Sequence, residues 1–256
     1  MHVSSPHART VLQFASHALG AASCLVAAVL VQGSGSWAIP LIGVMLAATA
    51  PLGPIVRELI DNEHGAPAPH DLQQLVDQLA SQMRTRTIPV IVTVDQPGVA
   101  ALRGMTRWSR RIVIGEPELL LPTQRLLAIL AHELAHAKSR HQLKGTVLSV
   151  LAWCAPQVIA GVAVPLCEPV LGVYGVIVGA LVAALLTGGA VLGLYAIMRH
   201  QEHEADRLAS SLAGTWVANQ LVAHFAQELS AHGTSNNRLY ATHPAASDRA
   251  TRITAT

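Results

Sequence analysis

The sequence predicts a mainly α membrane protein: four transmembrane helices plus a cytoplasmic α+β domain with a small β-sheet. Three observations predict it. Hydrophobic residues make up 51% of the chain and charged residues only 12%, against about 25% charged in an ordinary soluble domain. Four apolar stretches reach the ~20 residues that a bilayer crossing requires. Between the second and third of them lies a segment of mixed character, with an amphipathic stretch, short β-branched runs, turn residues and the motif His132-Glu133-Leu134-Ala135-His136.

The expected organisation is a paired one. Residues 1–60 hold two transmembrane helices, at about 11–31 and 37–56, separated by the tight turn Gln32-Gly33-Ser34-Gly35-Ser36. Residues 61–145 form the first part of the cytoplasmic domain. Residues 146–198 hold two further spans, at about 146–166 and 170–198, joined by a loop carrying Glu168, with Lys144 and Arg199 as interface anchors. Residues 199–256 complete the domain. The first span is too long for the apolar region of a signal peptide, and a second span follows at once. His17 lies inside that span, where a lone histidine reads as hydrogen-bonded or interfacial.

Charge orients the chain. With four spans, all 17 Lys and Arg fall on one side of the membrane, and the two short loops opposite hold none. The positive-inside rule makes the charged side cytoplasmic, in a cell (inner) membrane, so the bilayer itself is a partner. The net charge of +2 says little about other partners. Nothing points to a nucleic acid, a nucleotide or a redox cofactor. The three cysteines, Cys24, Cys154 and Cys167, have no paired spacing and read as packing residues.

Within the cytoplasmic segment, Asp61 to Asp71 reads as a loop leaving the membrane. Leu72, Leu75, Val76, Leu79 and Met83 recur at helical spacing and predict an amphipathic helix. Ile88 to Val94 reads as a strand followed by the turn Asp95-Gln96-Pro97-Gly98. Val99 to Leu102 and Arg111 to Gly115 read as two more strands joined through Gly104. The edge of such a sheet could take up an extended peptide. Arg103, Arg107, Arg110 and Arg111 form a basic face that suits solvent or lipid headgroups.

The helix started by Pro122 and Thr123, with Gly145 as its expected stop, carries the motif. Positions four apart share a helix face, so His132 and His136 can present two imidazoles to one metal ion. Glu133 sits about 100° further round, placed to serve as general base toward a water rather than as a ligand. H-E-x-x-H on a helix is the zincin pattern. His141, nine residues beyond His132, extrapolates to the opposite face and is not expected to be a ligand. A catalytic zinc takes three protein ligands. The fourth span runs without a breaker into Arg199-His200-Gln201-Glu202-His203-Glu204-Ala205-Asp206, which supplies candidates for the third. Glu202 would complete the set, and Asp206, four residues on, would accept the N–H of one ligand histidine. His203 and Glu204 compete for the ligand place but point away from Glu202 round the helix.

At these residues the chain resembles the membrane zinc metalloproteases that include the HtpX heat-shock protease, the CAAX prenyl protease type I and Oma-type proteases. Leu130 to His136 reads L-A-H-E-L-A-H against the family's L-A-H-E-L-G-H, with Ala135 in the place of Gly. Arg199-x-x-Glu202-x-x-Ala205-Asp206 resembles R-x-x-E-Y-x-A-D, with His203 at the Tyr position, and implies Glu202 as the third ligand. His243-Pro244 followed by Arg249 resembles H-P-x-x-x-x-R, and implies that His243 and Arg249 stabilise the oxyanion. The resemblance covers about 88–252. It implies a zincin-like metalloprotease domain with one Zn2+ per chain. His132, His136 and Glu202 would bind the metal, Glu133, His243 and Arg249 would be catalytic, and Asp206 would lie behind the ligands. It further implies polypeptide substrates, membrane or misfolded proteins cut in quality control. The family's Asn-Ala-Phe-Ala-type strand is here Val99-Ala100-Ala101-Leu102, so a peptide preference does not carry over. A signalling protease of the antirepressor type is a rival reading, weakened by outer loops of only a few residues. A non-catalytic scaffold with a structural zinc is another, and would need a protein ligand such as His243 in the fourth coordination position.

Overall fold

The computed structural model describes residues 65–94, 100–104, 109–149, 151–152, 173–232 and 245–254. The expected spans at 11–31 and 37–56 lie outside these residues, as do most of the span at 146–166, residues 170–172 of the last and His243. Among the described residues, no helix is long and apolar enough to cross a membrane. The chain divides into two compact units, one of residues 1–57 and 146–194, the other of residues 58–145 and 195–256.

The second unit is built round a four-stranded sheet. Its strands are β1 (Ala66–Pro67), β2 (Val90–Thr93), β3 (Ala100–Arg103) and β4 (Arg111–Gly115), in the order β1-β2-β4-β3. β2 and β4 run parallel, Val90 opposite Ile112, and both outer pairs are antiparallel. β4 lies between neighbours, and its Ile112, Val113 and Ile114 are all fully buried, the continuous apolar run of a strand covered on both faces. β1 falls in the stretch read as a loop. It is held by backbone pairing of Ala66 and Pro67 with Val92 and Ile91, which leaves no side-chain periodicity to read. Gly104, at φ 88°, ends β3, and a Cβ there would stand 2.1 Å from the Ser109 carbonyl oxygen. Only glycine fits.

Helix α1 (His70–Gln82) lays Leu72, Val76, Leu79 and Ala80 into the core. Gln73 ties it to the sheet: its amide donates to the Ile88 carbonyl at 3.2 Å and accepts the Val90 N–H at 2.8 Å. Helix α2 (Thr123–Ser139) follows Pro122 and is buried on most sides, with Leu126, Leu130 and Leu134 in the same core. It does not run to Gly145. Arg140 takes the left-handed conformation, φ 56°, and closes the helix, and a second helical stretch then passes through Gly145 over 141–149. One left-handed residue costs roughly 1–2 kcal/mol, which the contacts of His141 described below help to offset.

Helix α3 (Val173–Ala213) has 41 residues and carries the Glu202 segment without a break, as expected. Gly214, at φ 110°, stops it. Two further helices follow, α4 (Thr215–His232) and α5 (Ala246–Thr254). Val217, Leu221 and Phe225 form an inward stripe on α4, and Ile253 of α5 joins the same core.

Candidate metal centre

Three elements converge on one spot: α2 with His132, Glu133 and His136, α3 with Glu202 and Asp206, and α5 with Arg249. His132 Nε2 and His136 Nε2 lie 3.0 Å apart. The two oxygens of Glu202 stand 3.4 Å from them, Oε2 from His132 and Oε1 from His136. Ligand atoms about 2.05 Å from one ion at tetrahedral angles lie about 3.3 Å apart, so the spacing fits a small tetrahedral metal. The donor chemistry agrees. Two imidazole nitrogens facing each other across 3.0 Å need a proton or a cation between them, and Glu202 adds negative charge. Among the described residues, His132, His136 and Glu202 are the group placed to hold a metal ion.

Behind His132 stands a charged pair. His132 Nδ1 donates to Asp206 Oδ1 at 2.9 Å, which leaves Nε2 free to face the metal position. Arg249 grips Asp206 with two hydrogen bonds, Nε to Oδ2 at 2.8 Å and Nη2 to Oδ1 at 2.6 Å. Its Nη1 lies 3.5 Å from Glu202 Oε2, and its guanidinium carbon sits 4.2 Å from the centre of the Phe225 ring. Burial pushes the Asp206 carboxyl up, but hydrogen bonds from Arg249 and His132 outweigh it and bring it down to about 2. In the metal-free pocket, burial and Arg249 push the His132 imidazole down. The hydrogen bonds to Asp206 and Glu202 overcome both and raise it to about 9. The pocket favours positive charge at the metal position.

Behind His136 stands His141, contrary to the helical extrapolation. The left-handed turn at Arg140 brings His141 Nδ1 to 2.9 Å from His136 Nδ1, and His141 is only 3% exposed. Burial and the neighbouring His136 push the His141 imidazole down to about 4. Glu204, weighed as a ligand from sequence, turns to this side: its Oε2 lies 3.3 Å from His141 Nε2, and its Oε1 accepts from Ser139 Oγ at 3.2 Å. His203 is outside the cluster.

Glu133, next to His132 on α2, is buried, and its Oε2 accepts the Leu102 N–H of β3 at 2.6 Å. The Leu102 carbonyl accepts from the Gln142 side chain. Both outward backbone groups of Leu102 are therefore taken by the protein itself, so the sheet edge that could take up an extended peptide is occupied at this residue. No sequence signal pointed to this bond, since it joins a backbone group to a side chain 31 residues away.

The helix-borne His-Glu-His set, the distal glutamate and the small sheet beside them define a metallopeptidase of zincin-like fold, mostly helical. The chain belongs to peptidase family M48, whose model matches residues 68–256. It is 29% identical over 215 residues to a protein named Protease HtpX homolog from Desulfatibacillum aliphaticivorans, covering 72% of this chain and 68% of that one. It is also similar in fold to the crystal structure of Ste24p from S. mikatae, with a TM-score of 0.53 and 17% identity. That match covers 83% of this chain, which spans about 55% of the Ste24p chain.

Proposed function

We propose that the protein is a membrane-embedded zinc endopeptidase that cuts membrane or misfolded proteins at the cytoplasmic face of the cell membrane. The observation that carries this reading is the convergence of His132, His136 and Glu202 at 3.0–3.4 Å, with the buried Glu133 next to His132 in the same helix. These three residues would hold one zinc ion. When bound, zinc supplies a Lewis acid that polarises a peptide carbonyl and acidifies water. Glu133 accepts a proton from the attacking water and delivers it to the leaving nitrogen. Asp206 keeps His132 in the tautomer that points Nε2 at the metal, and Arg249 keeps Asp206 charged and in place. Arg249, through the Nη1 that reaches toward Glu202, and His243 are assigned to the oxyanion.

The membrane part of the proposal is supported by the beginning of α3. Tyr174, Ile177, Val178, Leu181, Val182 and Leu185 recur at helical spacing and are all exposed, Tyr174 and Leu185 by 72% and 76%. In water such a stripe is costly; against lipid it is matched. Together with the three other apolar stretches of the sequence it supports the four-span arrangement, and the lysines and arginines expected on one side support the orientation.

Zinc content and cleavage of an unfolded model protein, measured together on the purified full chain in detergent, test the activity. Wild type should bind zinc and cleave in a chelator-sensitive way. Glu133→Gln should keep the zinc and lose about 10²–10⁴-fold in rate. Equal cleavage by the variant would refute the general-base assignment. Zinc in both with cleavage in neither, across several substrates, would favour the structural-zinc scaffold.

A further inference from the structure

The two metal-facing histidines are supported in different ways, and only the Asp206 support of His132 was visible in the sequence. We propose that His141, with Glu204 and Ser139 behind it, is the positioning residue that sets the tautomer and ring orientation of His136 for metal binding; this rests on the reading of His132, His136 and Glu202 as the metal site.

The bonding pattern leaves each group one role. His136 Nε2 faces His132 and Glu202, so it must carry the lone pair that a metal takes. The proton of neutral His136 is then on Nδ1, which donates to His141 Nδ1 at 2.9 Å. His141, accepting there, carries its own proton on Nε2, whose neighbour is Glu204 Oε2 at 3.3 Å, within ion-pair range but outside hydrogen-bond alignment. Ser139 Oγ donates to the other oxygen of Glu204 and fixes that carboxylate from the last turn of α2. The rings of His136 and His141 stand 76° apart with centroids 4.9 Å apart, an edge contact that resists rotation of either. The chain closes only because Arg140 is left-handed; continued α-helix would carry His141 away from His136. A partner of this kind raises the donor strength of a metal-bound histidine and holds its ring in line.

The test uses the full chain in detergent, with zinc affinity from competition against a chromophoric chelator and the visible spectrum of the Co2+-loaded protein. His141→Leu keeps bulk but cannot accept from His136, and it should bind zinc about 10–100-fold more weakly with an altered cobalt spectrum. His141→Asn offers an acceptor oxygen near the Nδ1 position and should recover most of the affinity. Thermal unfolding of the metal-free proteins checks that the variants fold. If His141→Leu does not, Glu204→Leu carries the same test, since that side chain is 31% exposed; it should weaken zinc severalfold and shift the cobalt spectrum. Wild-type affinity and spectrum in His141→Leu, or in Glu204→Leu where that variant stands in, would overturn the proposal, and so would equal loss in His141→Asn and His141→Leu. A wild-type protein that binds no zinc would instead overturn the metal-site reading beneath it.

Discussion

Helix α3 contains two regions with inverted burial. Over 174–186 its large apolar side chains are exposed, whereas over 201–206 Gln201, Glu202 and Asp206 are buried, Asp206 at 2% exposure. Neither pattern suits a helix resting on a core in water. Each is explained by what surrounds it. The buried acids are matched by His132, His136 and Arg249, so the cost of taking charge out of water is offset by charged hydrogen bonds. Among the described residues the exposed apolar face has no such partner, and its surface suits hydrocarbon. One helix therefore carries two opposite burial patterns, and the candidate metal site lies at its polar end.

The largest way to break this contrast is at the polar end. Arg249→Leu removes the guanidinium and leaves Asp206 buried without its main cation. It should cost about 3–5 kcal/mol of stability, read from denaturant unfolding of the detergent-solubilised protein, and should also weaken metal binding. The double variant Asp206→Leu with Arg249→Leu should be less damaged than Arg249→Leu alone. A single variant as stable as wild type would mean the pair is not what holds the acids in the interior.

At the apolar end, Leu181→Asp sharpens the comparison. If this half lies in lipid, the charge should raise the free energy of membrane insertion by about 2.5–3.5 kcal/mol, seen as a drop in the inserted fraction in a microsomal assay. An unchanged inserted fraction would place that face in water.

The smallest expected effect is one of pH. In the metal-free pocket His132 is held at about 9, so below that value it carries a proton that metal binding must expel. Zinc affinity should then fall by about tenfold per pH unit as pH drops from 8 to 6, and level off above about 9. A flat affinity over that interval would show that His132 is neutral before metal arrives. That would remove the electrostatic account of the pocket.

Much of the site was legible because helical spacing is a local rule. His132 and His136, and likewise Glu202 and Asp206, are four apart, and a helix places such pairs on one face whatever surrounds it. The parallel core strands were legible from their β-branched runs. His141 was misplaced for the same reason that the others were found. Extrapolation along a helix assumes the helix continues, and Arg140 ends it. The occupied edge at Leu102 was not legible either, because its N–H carries no residue identity and its partner Glu133 is distant in sequence. Arg249 was named only through resemblance, and no local pattern could show that it grips Asp206 43 residues away, over Phe225.

By itself the sequence determined the chemistry available: a helix with two histidines and a glutamate, a second helix with paired acids, and apolar stretches long enough for a bilayer. These follow from residue type and periodicity, which the backbone reads over a few turns. Tertiary structure decided which candidate acid faces the histidines, which base partner each histidine receives, and that β3 occupies Glu133 through its own backbone. Those choices depend on how helices far apart in the chain are packed, a matter of ångström distances between side chains that no local spacing encodes.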